Sequence, residues 1–415
     1  MSDPIDILSR ATCFNVRHRY VLGQICCAGF FLLTLFSQVA LAQTQLHYLP
    51  TQAIVSSKNP MLSQHANHSP ILSWIEPADS KNPELYTLRF ALFNGVAWQP
   101  AKTAAQGTNW FINWADRAWV SYQHNGNLVA QWLVKSAASP YAYQIYLSFS
   151  NDDGLTWSKP IIPHTDRSNI QHGFSHFISD DSGLLTLFWI EASNNDAALK
   201  SRQVDAQGQW ADEQTLDSTT CSCCQIDAAL SRLGMALVYR NRTKQEIRDI
   251  SVIRQQDTQW SNPKIIAADN WHIAGCPVNG PAIDALDSQI AVAWFTAAND
   301  TPTIRVAFSS NSGASFERIY RLSSENVIGR VDVVMLSDGS AFVSWLASGN
   351  LGPEIRLAHV YPNGDGQYLN HRLASAAYFS TPKMVKHKDK LLFSWQDDKQ
   401  SLRLKSGWLA LPLDF

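Results

Sequence analysis

A short apolar segment ending in an aromatic residue recurs seven times along the chain, and this repeat constrains the fold more than any other feature. The seven aromatics stand about 50 to 58 residues apart. They are Trp74, Trp132, Trp189, Tyr239, Trp294, Trp345 and Trp395. One bulky anchor per copy at this interval is typical of a fold built from repeated sheets.

Further strand-like segments surround each aromatic segment. A second alternating segment follows each one, at 86–92, 143–150, 199–204, 247–254, 303–309, 354–360 and 402–409. Other apolar segments precede the aromatic segment, as at 172–178 and 330–335, or follow the second segment, as at 157–162. No helical periodicity competes with this pattern, and turn residues fill the gaps. The sequence therefore predicts an all-β fold, a β-propeller of four-stranded blades.

The repeat count predicts seven blades, with six as the alternative. The last repeat reaches the end of the sequence before an outermost strand, whereas residues 48–55 resemble an outermost strand without a blade. We expect this N-terminal strand to complete the last blade, because closure removes an open sheet edge.

The first 42 residues have the pattern of a secretory signal. Arg10, Arg17 and Arg19 precede an apolar run over 20–41, and small residues stand just before Gln43. We expect a signal peptide over 1–42 and a single propeller domain over 43–415, in a secreted or periplasmic protein that is monomeric and does not bind a membrane after cleavage. An uncleaved membrane anchor is the alternative, although polar residues within the run weaken it.

The charge balance argues against a nucleic-acid partner. The chain has 33 basic and 35 acidic residues, a formal net charge of −2, and no basic run. Binding to nucleic acid depends on neutralising phosphates with clustered Lys and Arg. We therefore expect no nucleic-acid partner.

Two segments carry a family resemblance. Residues 150–157 read SNDDGLTW, which fits the Asp-box pattern Ser-x-Asp-x-Gly-x-Thr-Trp, and residues 309–316, SSNSGASF, are a degenerate second copy at the equivalent repeat position. The chain resembles the sialidase-like propellers with bacterial neuraminidase (BNR) repeats. The box itself forms a turn and carries no chemistry. Residues 113–116 (NWAD), 221–225 (CSCCQ, a Cys-x-Cys-Cys motif) and 275–281 (GCPVNGP) are similar to secreted proteins often labelled exo-alpha-sialidase.

The resemblance implies a set of catalytic candidates. Sialidases bind the substrate carboxylate with an arginine triad and use a Tyr nucleophile activated by Glu, with an Asp acid/base. The residues of matching type are Tyr239, Arg240, Arg242, Glu246, Arg248 and Asp116. Their period-two spacing over 239–249 suits a pair of strands equally well. Because the family's Arg-Ile-Pro signature is absent from the sequence, we expect little or no sialidase activity.

A second group of polar residues falls where innermost strands begin. These starts converge on the central channel of a propeller, so residues far apart in sequence become neighbours. The predicted ligand-binding residues are Asn113, Trp114, His172, Asp227, Asn279, Arg330 and Asp332. A glycan or another small molecule at the channel face is the expected partner.

Four cysteines follow the leader: Cys221, Cys223, Cys224 and Cys276. All four are disulfide candidates, with Cys276 linked to the cluster of the preceding blade. A thiolate site for copper or zinc is the second hypothesis, formed by Cys223, Cys224 and Cys276 with His172 or His68 as a further ligand. Redox chemistry is the third.

Three functions follow from these features. The first is a secreted glycoside hydrolase or glycan-binding protein, the second a metal-binding or redox periplasmic protein that uses the cysteine cluster, and the third an interaction platform. A copper or zinc ion is the cofactor that the second function would require.

Overall fold

The structure is a computed structural model that describes residues 45–411, except 66–67, 80, 195, 206, 258, 365–370 and 398–402. The predicted signal peptide over 1–42 lies outside the described residues. Within the described ranges, no helix has the length and apolar character needed to cross a membrane.

The described chain is all-β, apart from a short 3₁₀ turn at Ala298–Asp300. In chain order the strands are β1 (His47–Leu49), β2 (Lys58–Ser63), β3 (Ile71–Asp79), β4 (Asn82–Leu92), β5 (Lys102–Gly107), β6 (Trp119–Tyr122), β7 (Leu128–Lys135), β8 (Tyr143–Ser150), β9 (Gln171–Ser179), β10 (Leu185–Ser193), β11 (Asp196–Val204), β12 (Gln214–Asp217), β13 (Asp227–Ser231), β14 (Gly234–Arg240), β15 (Ile250–Gln256), β16 (Gln259–Trp260), β17 (Lys264–Ile265), β18 (Ala282–Leu286), β19 (Gln289–Thr296), β20 (Thr303–Ser309), β21 (Arg318–Ser323), β22 (Val327–Met335), β23 (Ala341–Gly349), β24 (Gly352–Val360), β25 (His371–Ser375), β26 (Lys383–His387), β27 (Lys390–Asp397) and β28 (Arg403–Ala410).

Hydrogen bonding groups these strands into six sheets. Four of them have four strands each: β2–β5, β18–β21, β22–β25, and β26–β28 with β1. A fifth contains β13–β15, with β16 and β17 both paired to β15. The sixth has seven strands and contains two sequence repeats, β6–β8 and β9–β12, joined by one parallel pairing of Tyr143 with Gln171. Multiple four-stranded antiparallel sheets of this kind are the architecture of a propeller-type fold.

The N-terminal strand pairs with the last strand of the chain, but it is shorter than expected. His47 lies opposite Trp408 and Leu49 opposite Ser406 in an antiparallel ladder. The predicted segment was 48–55, whereas the observed strand ends at Leu49. Pro50 follows immediately, and proline has no backbone N–H to donate to a ladder.

The seven aromatics of the repeat occupy equivalent positions. Each lies on the second strand of its repeat, on β3, β7, β10, β14, β19, β23 and β27. None is more than 4% exposed. Their burial explains why the repeat requires a large side chain at this position, since a sheet face without one would leave a cavity.

Aspartates on innermost strands connect consecutive sheets. The backbone N–H of Ile283 donates to Asp227, that of Met335 to Asp284 and that of Met384 to Asp332, at 3.1, 2.7 and 2.6 Å. The sequence β13, β18, β22, β26 is thereby linked strand to strand. All three carboxylates also line the space that the innermost strands enclose.

Candidate functional site at the channel mouth

Gln225 joins the three sequence motifs that are far apart in the chain. Its side-chain Nε2 donates to the backbone oxygen of Ala115 at 3.1 Å, and its Oε1 accepts from the N–H of Gly280 at 3.0 Å. A Cβ atom at position 280 would clash with the Gln225 backbone. The segments 113–116, 221–225 and 275–281 therefore form one contiguous structure, and glycine is required where two of them meet.

Two disulfides reinforce this contact. Cys223 is bonded to Cys276, with Cα atoms 6.2 Å apart, and Cys221 to Cys224, with Cα atoms 5.6 Å apart. The arrangement agrees with the structural-disulfide hypothesis, in which Cys276 joins the cluster. The Cys223–Cys276 bond ties the second motif to the third beside the channel.

Asn279 places Arg330 at the mouth of the channel. Its Oδ1 accepts from the backbone N–H and from Nη1 of Arg330, each at 2.9 Å. Arg330 has φ +60° and Gly329 has φ +105°, where a Cβ would clash with the Asn279 side chain. Residues other than glycine rarely adopt positive φ, so the contacts with Asn279 hold Arg330 in an unusual conformation.

The Arg330 guanidinium has no acidic partner among the described residues. It lies over the ring of Trp114, 4.1 Å from the centroid, and Nη1 also donates to the Val278 carbonyl at 3.0 Å. Its Nε is buried and makes no hydrogen bond. Burial lowers the pKa of Arg330 to about 10, against a small opposing effect of Tyr378. The side chain remains a cation without a neutralising group, in a position open to a ligand.

A cavity of about 70 Å³ lies beside Arg330. Its titratable lining groups are Asp116, Arg117, His176, Asp227, Arg330 and Lys383. A wider space of about 420 Å³ shares several of these residues and reaches Asp284 and Asp332 deeper in the channel. The mouth of the channel is therefore a small polar cavity with three basic side chains.

The other two basic groups have partners. Lys383 forms an ion pair with Asp332. Arg117 donates from Nη1 to the hydroxyl of Thr381 at 2.9 Å. Burial lowers the pKa of Arg117, an effect that nearby carboxylates including Asp332 oppose. Arg330 thus differs from both in lacking a carboxylate close by.

Asp116 is the titratable group of this cavity best suited to proton transfer. It is 3% exposed, and the Tyr143 hydroxyl donates to its Oδ2 at 2.9 Å. Burial raises the pKa of Asp116 to about 7, although the hydrogen bonds from Phe174 and Tyr143 act in the opposite direction. A Cβ at Gly173 would collide with both Asp116 and Tyr143, so this pair depends on a glycine. A carboxyl with such a pKa holds and releases a proton near neutral pH.

Exposed aromatic residues form the rim of the mouth. Tyr378 and Phe379 are 51% and 56% exposed. The Phe379 ring centroid lies 5.8 Å from that of Trp114. The rim therefore presents apolar faces next to the Arg330 cation.

Five of the six catalytic candidates lie away from the cavity. The Tyr239 hydroxyl donates to Asp217, and Arg240 donates to the backbone oxygens of Asn279, Arg248 and Phe295 at 2.9, 2.6 and 2.6 Å. Arg242 and Arg248 both form ion pairs with Glu246, at 2.5 and 2.7 Å. Of the six, Asp116 alone is among the described residues that line the cavity. The geometry of 239–249 favours the interpretation as strands and a connecting loop.

The predicted binding residues divide into three groups. Asp227 and Arg330 line the cavity and Trp114 packs on Arg330, while Asp332 lies deeper in the channel. Asn113 and Asn279 support the mouth, since the Asn113 Oδ1 accepts from the Ala115 N–H at 2.8 Å. His172 is absent from the described lining of the cavity; its side chain faces Asp166 and Glu191 instead.

Sequence reasoning missed several residues of the mouth. Arg117, His176 and Lys383 line the cavity, and Gln225 holds its motifs together. Arg117 directly follows Asp116, and both His176 and Lys383 fall within innermost-strand segments of the repeat. Repeat position was therefore the signal that could have found them.

No family model matches the chain, and no curated protein matches it. Among solved structures, the polysaccharide lyase Uly1 is similar with a TM-score of 0.54 at 9% identity, over 91% of this chain and 94% of that one. The NanB sialidase from Streptococcus pneumoniae has a TM-score of 0.43 at 12% identity, over 88% and 70%. An ulvan lyase has a TM-score of 0.46 at 9% identity, over 74% and 79%. The similarity to Uly1 over nearly the whole of both chains shows that the two proteins share a fold.

Proposed function

We propose that the chain is a secreted or periplasmic seven-bladed propeller of the sialidase-like type that binds an acidic glycan at the channel mouth and cleaves it with Asp116 as the proton-transferring group. The seven equivalent aromatics and the pairing of β1 with β28 support seven blades closed by the N-terminal strand. Disulfides suit an oxidising compartment.

The observation that carries this proposal is that the Arg330 guanidinium has no carboxylate partner among the described residues. A buried or half-buried cation without a counter-ion is costly, and a ligand carboxylate would supply the missing partner. The Arg330 Nε–H is a donor that is buried and has no acceptor among the described residues. An acidic sugar, such as a uronic acid or a nine-carbon keto-acid sugar, carries the required carboxylate.

The rim supports a sugar as the carrier of that carboxylate. Aromatic side chains with polar groups beside them suit ligands that have both apolar and hydroxylated faces. Trp114 and Phe379 offer the apolar faces, while Arg117 and Asp227 offer polar contacts inside the cavity. The combination favours an acidic glycan over a neutral one.

Asp116 supports cleavage of the bound glycan. A general acid is most effective when its pKa is close to the working pH. Asp116 lines the cavity and has a pKa of about 7. Hydrolysis of a sialoside is the less favoured reaction, because the described cavity lining has two arginines, Arg117 and Arg330, where sialidases use three.

Calorimetric titration with acidic oligosaccharides, together with mass spectrometry of released products, tests the proposal. The panel contains uronate-bearing and sialylated oligosaccharides and the same molecules with their carboxylates reduced to alcohols. We expect binding of at least one acidic member and a loss of at least tenfold in affinity on carboxyl reduction. Arg330→Gln should cause a similar loss, whereas Arg321→Gln, at an exposed position on β21, should not. Equal affinity for acidic and reduced ligands would contradict the proposal.

The metal or redox function is the second candidate. The close approach of Cys221, Cys223 and Cys224, with sulfurs within 4.8 Å of one another, is the observation in its favour. A cysteine binds metal as a thiolate, and a cysteine in a disulfide has no thiolate to offer. Thiol titration under denaturing conditions, on protein from which residues 1–42 with Cys13, Cys26 and Cys27 have been cleaved, distinguishes the two. Fewer than one free thiol per chain supports the structural role, and two or more free thiols with bound copper or zinc support the second candidate.

A further inference from the structure

A histidine and two carboxylates lie together away from the channel mouth. His172 on β9 and Glu191 on β10 are directly opposite one another in the antiparallel ladder. Asp166, in the segment before β9, completes the group. The His172 Nε2 lies 3.7 Å from an oxygen of each carboxylate, Asp166 Oδ2 and Glu191 Oε2. Imidazole and carboxylate side chains are common metal ligands.

The atoms at the centre of this group have no satisfactory partners. The His172 side chain is fully buried, and neither of its ring nitrogens makes a hydrogen bond of ordinary geometry, although backbone groups of Tyr143 and Ile170 lie near the ring. The Glu191 Oε2 is also buried without a hydrogen bond. A separation of 3.7 Å is too long for a hydrogen bond between nitrogen and oxygen. Buried polar atoms of this kind normally have a partner, so the group is incomplete as it stands.

We propose that Asp166, His172 and Glu191 bind a divalent first-row metal ion, Zn²⁺, through one nitrogen and two oxygen ligands. The three ligand atoms are all within 4.8 Å of one another. The nitrogen lies 3.7 Å from each oxygen, and the two oxygens are within 4.8 Å of each other. An ion centred between the three atoms would therefore lie about 2.0 to 2.4 Å from each, close to the Zn²⁺ bond lengths of about 2.0–2.2 Å to nitrogen and oxygen. The nitrogen ligand disfavours Ca²⁺ and Mg²⁺, which prefer oxygen.

Neighbouring residues hold the ligands in place. The His164 ring stacks on the His172 ring, with centroids 4.0 Å apart and an interplanar angle of 1°. The Ser168 hydroxyl donates to the Asp166 Oδ2 at 2.9 Å. Lys200 lies 3.5 Å from the other oxygen of Glu191, Oε1, which leaves Oε2 for the ion. Such outer contacts orient ligands in metal sites.

The site has a path for the ion and a position for a fourth ligand. The Asp166 side chain is 35% exposed, whereas that of His172 is not exposed. An ion can therefore reach the buried imidazole from the side of Asp166, and water can complete the coordination from the same side. Three protein ligands with one open position are a common zinc arrangement. This site is separate from the glycan proposal, since none of its three ligands lines the described cavity.

Zinc titration of the full chain, freed of metal with a chelator and treated with iodoacetamide under non-reducing conditions, tests the site. A chromogenic chelator in competition reports the affinity. We expect one equivalent of Zn²⁺, tighter binding than that of Ca²⁺ or Mg²⁺, and a rise in melting temperature on zinc addition. Asp166→Asn and Glu191→Gln should each weaken zinc binding at least tenfold and abolish the thermal shift.

Asp205→Asn is the matched control, because Asp205 also accepts hydrogen bonds from turn amides, from Gln207 and Gln209. It should bind zinc as the wild type does. Circular dichroism confirms that each variant is folded. Asp166→Asn, at a partly exposed position, remains informative if Glu191→Gln does not fold. Absence of saturable zinc binding by the folded wild type, or unchanged affinity in both carboxamide variants, would overturn the proposal. Glycan binding by Asp166→Asn should be unchanged, so failure of one proposal does not affect the other.

Discussion

Asn279, in the loop before β18, accepts hydrogen bonds from both the backbone and the side chain of Arg330 on β22. A single amide therefore fixes the conformation of a positive-φ residue and the direction of its guanidinium. The same segment is held by Gln225 and by the Cys223–Cys276 disulfide. The mouth is thus preorganised to present a cation.

Replacing Asn279 with Ala should weaken ligand binding because Asn279 holds Arg330 in place. The change leaves two Arg330 donors without an acceptor and releases its positive-φ conformation. We expect a loss of at least tenfold in affinity for the acidic glycan and about 1–3 kcal/mol in unfolding free energy. Asn311→Ala is the control, since the Asn311 Oδ1 accepts a hydrogen bond from the backbone N–H of Ser315 in a turn after β20. It should lower stability without changing affinity in calorimetric titration.

The two disulfides should contribute unequally to stability. Cys223 and Cys276 are 53 residues apart, whereas Cys221 and Cys224 are three apart. Loop-closure entropy predicts a loss of about 4 kcal/mol for the Cys223→Ser/Cys276→Ser variant and about 2 kcal/mol for Cys221→Ser/Cys224→Ser. Urea unfolding measures both. A larger loss for the short-range pair would contradict the assigned connectivity or the entropic explanation.

Removal of a repeat aromatic should leave a cavity in the core. Trp294 is fully buried, and its indole N–H donates to Asp269 at 2.8 Å. Trp294→Ala should lower the unfolding free energy by about 3–5 kcal/mol. Leu351→Ala, at a position that is 76% exposed, should change it by less than about 0.5 kcal/mol. Thermal stability of Trp294→Ala equal to that of the wild type would show that the anchor assignment is wrong.

Asp116 should make the protein less stable as the pH rises through neutrality. Its pKa is about 7 in the folded protein, against about 3.9 for an unfolded Asp. Between these values the folded state holds the proton and the unfolded state does not, so stability is highest below the lower pKa and falls towards the upper one. Asp116→Asn removes this dependence while keeping an oxygen to accept from Tyr143.

Urea unfolding of the wild type and Asp116→Asn at pH 5 and pH 8 measures the effect. From pH 5 to pH 8 the wild type should lose about 2–3 kcal/mol more unfolding free energy than Asp116→Asn loses. Product release should also fall in the variant at every pH. A difference in stability that does not change with pH would mean that the carboxyl is not held protonated by burial.

The all-β architecture was predictable because it rests on a repeated pattern. An anchor such as Trp189 or Trp345 is buried on the second strand of its repeat, as the other five are, so the interval alone locates its strand. The end of β1 depended on a local feature, Pro50, which repeat counting does not include. Arg117 could have been found from its place next to Asp116, but its hydrogen bond to Thr381 joins segments 264 residues apart, and no repeat interval encodes that contact.

The residues of the candidate site were harder to predict than the fold. Residue types alone made 239–249 a plausible active site, yet Arg240 is used to bind three backbone carbonyls. Residue type does not distinguish an arginine that binds its own backbone from one that lacks a partner, such as Arg330. His172 was assigned to the cysteine cluster by repeat position, but strand pairing places it opposite Glu191.

The most direct test of the acidic-glycan proposal is a double-mutant cycle between the ligand carboxylate and Arg330. Calorimetry gives four dissociation constants, for wild type and Arg330→Gln with the acidic oligosaccharide and with its carboxyl-reduced form. We predict that the substitution weakens binding of the acidic ligand at least tenfold and that of the reduced ligand less than twofold, a coupling of at least about 1 kcal/mol. Equal losses for the two ligands, and hence no coupling, would contradict the claim that Arg330 binds the carboxylate.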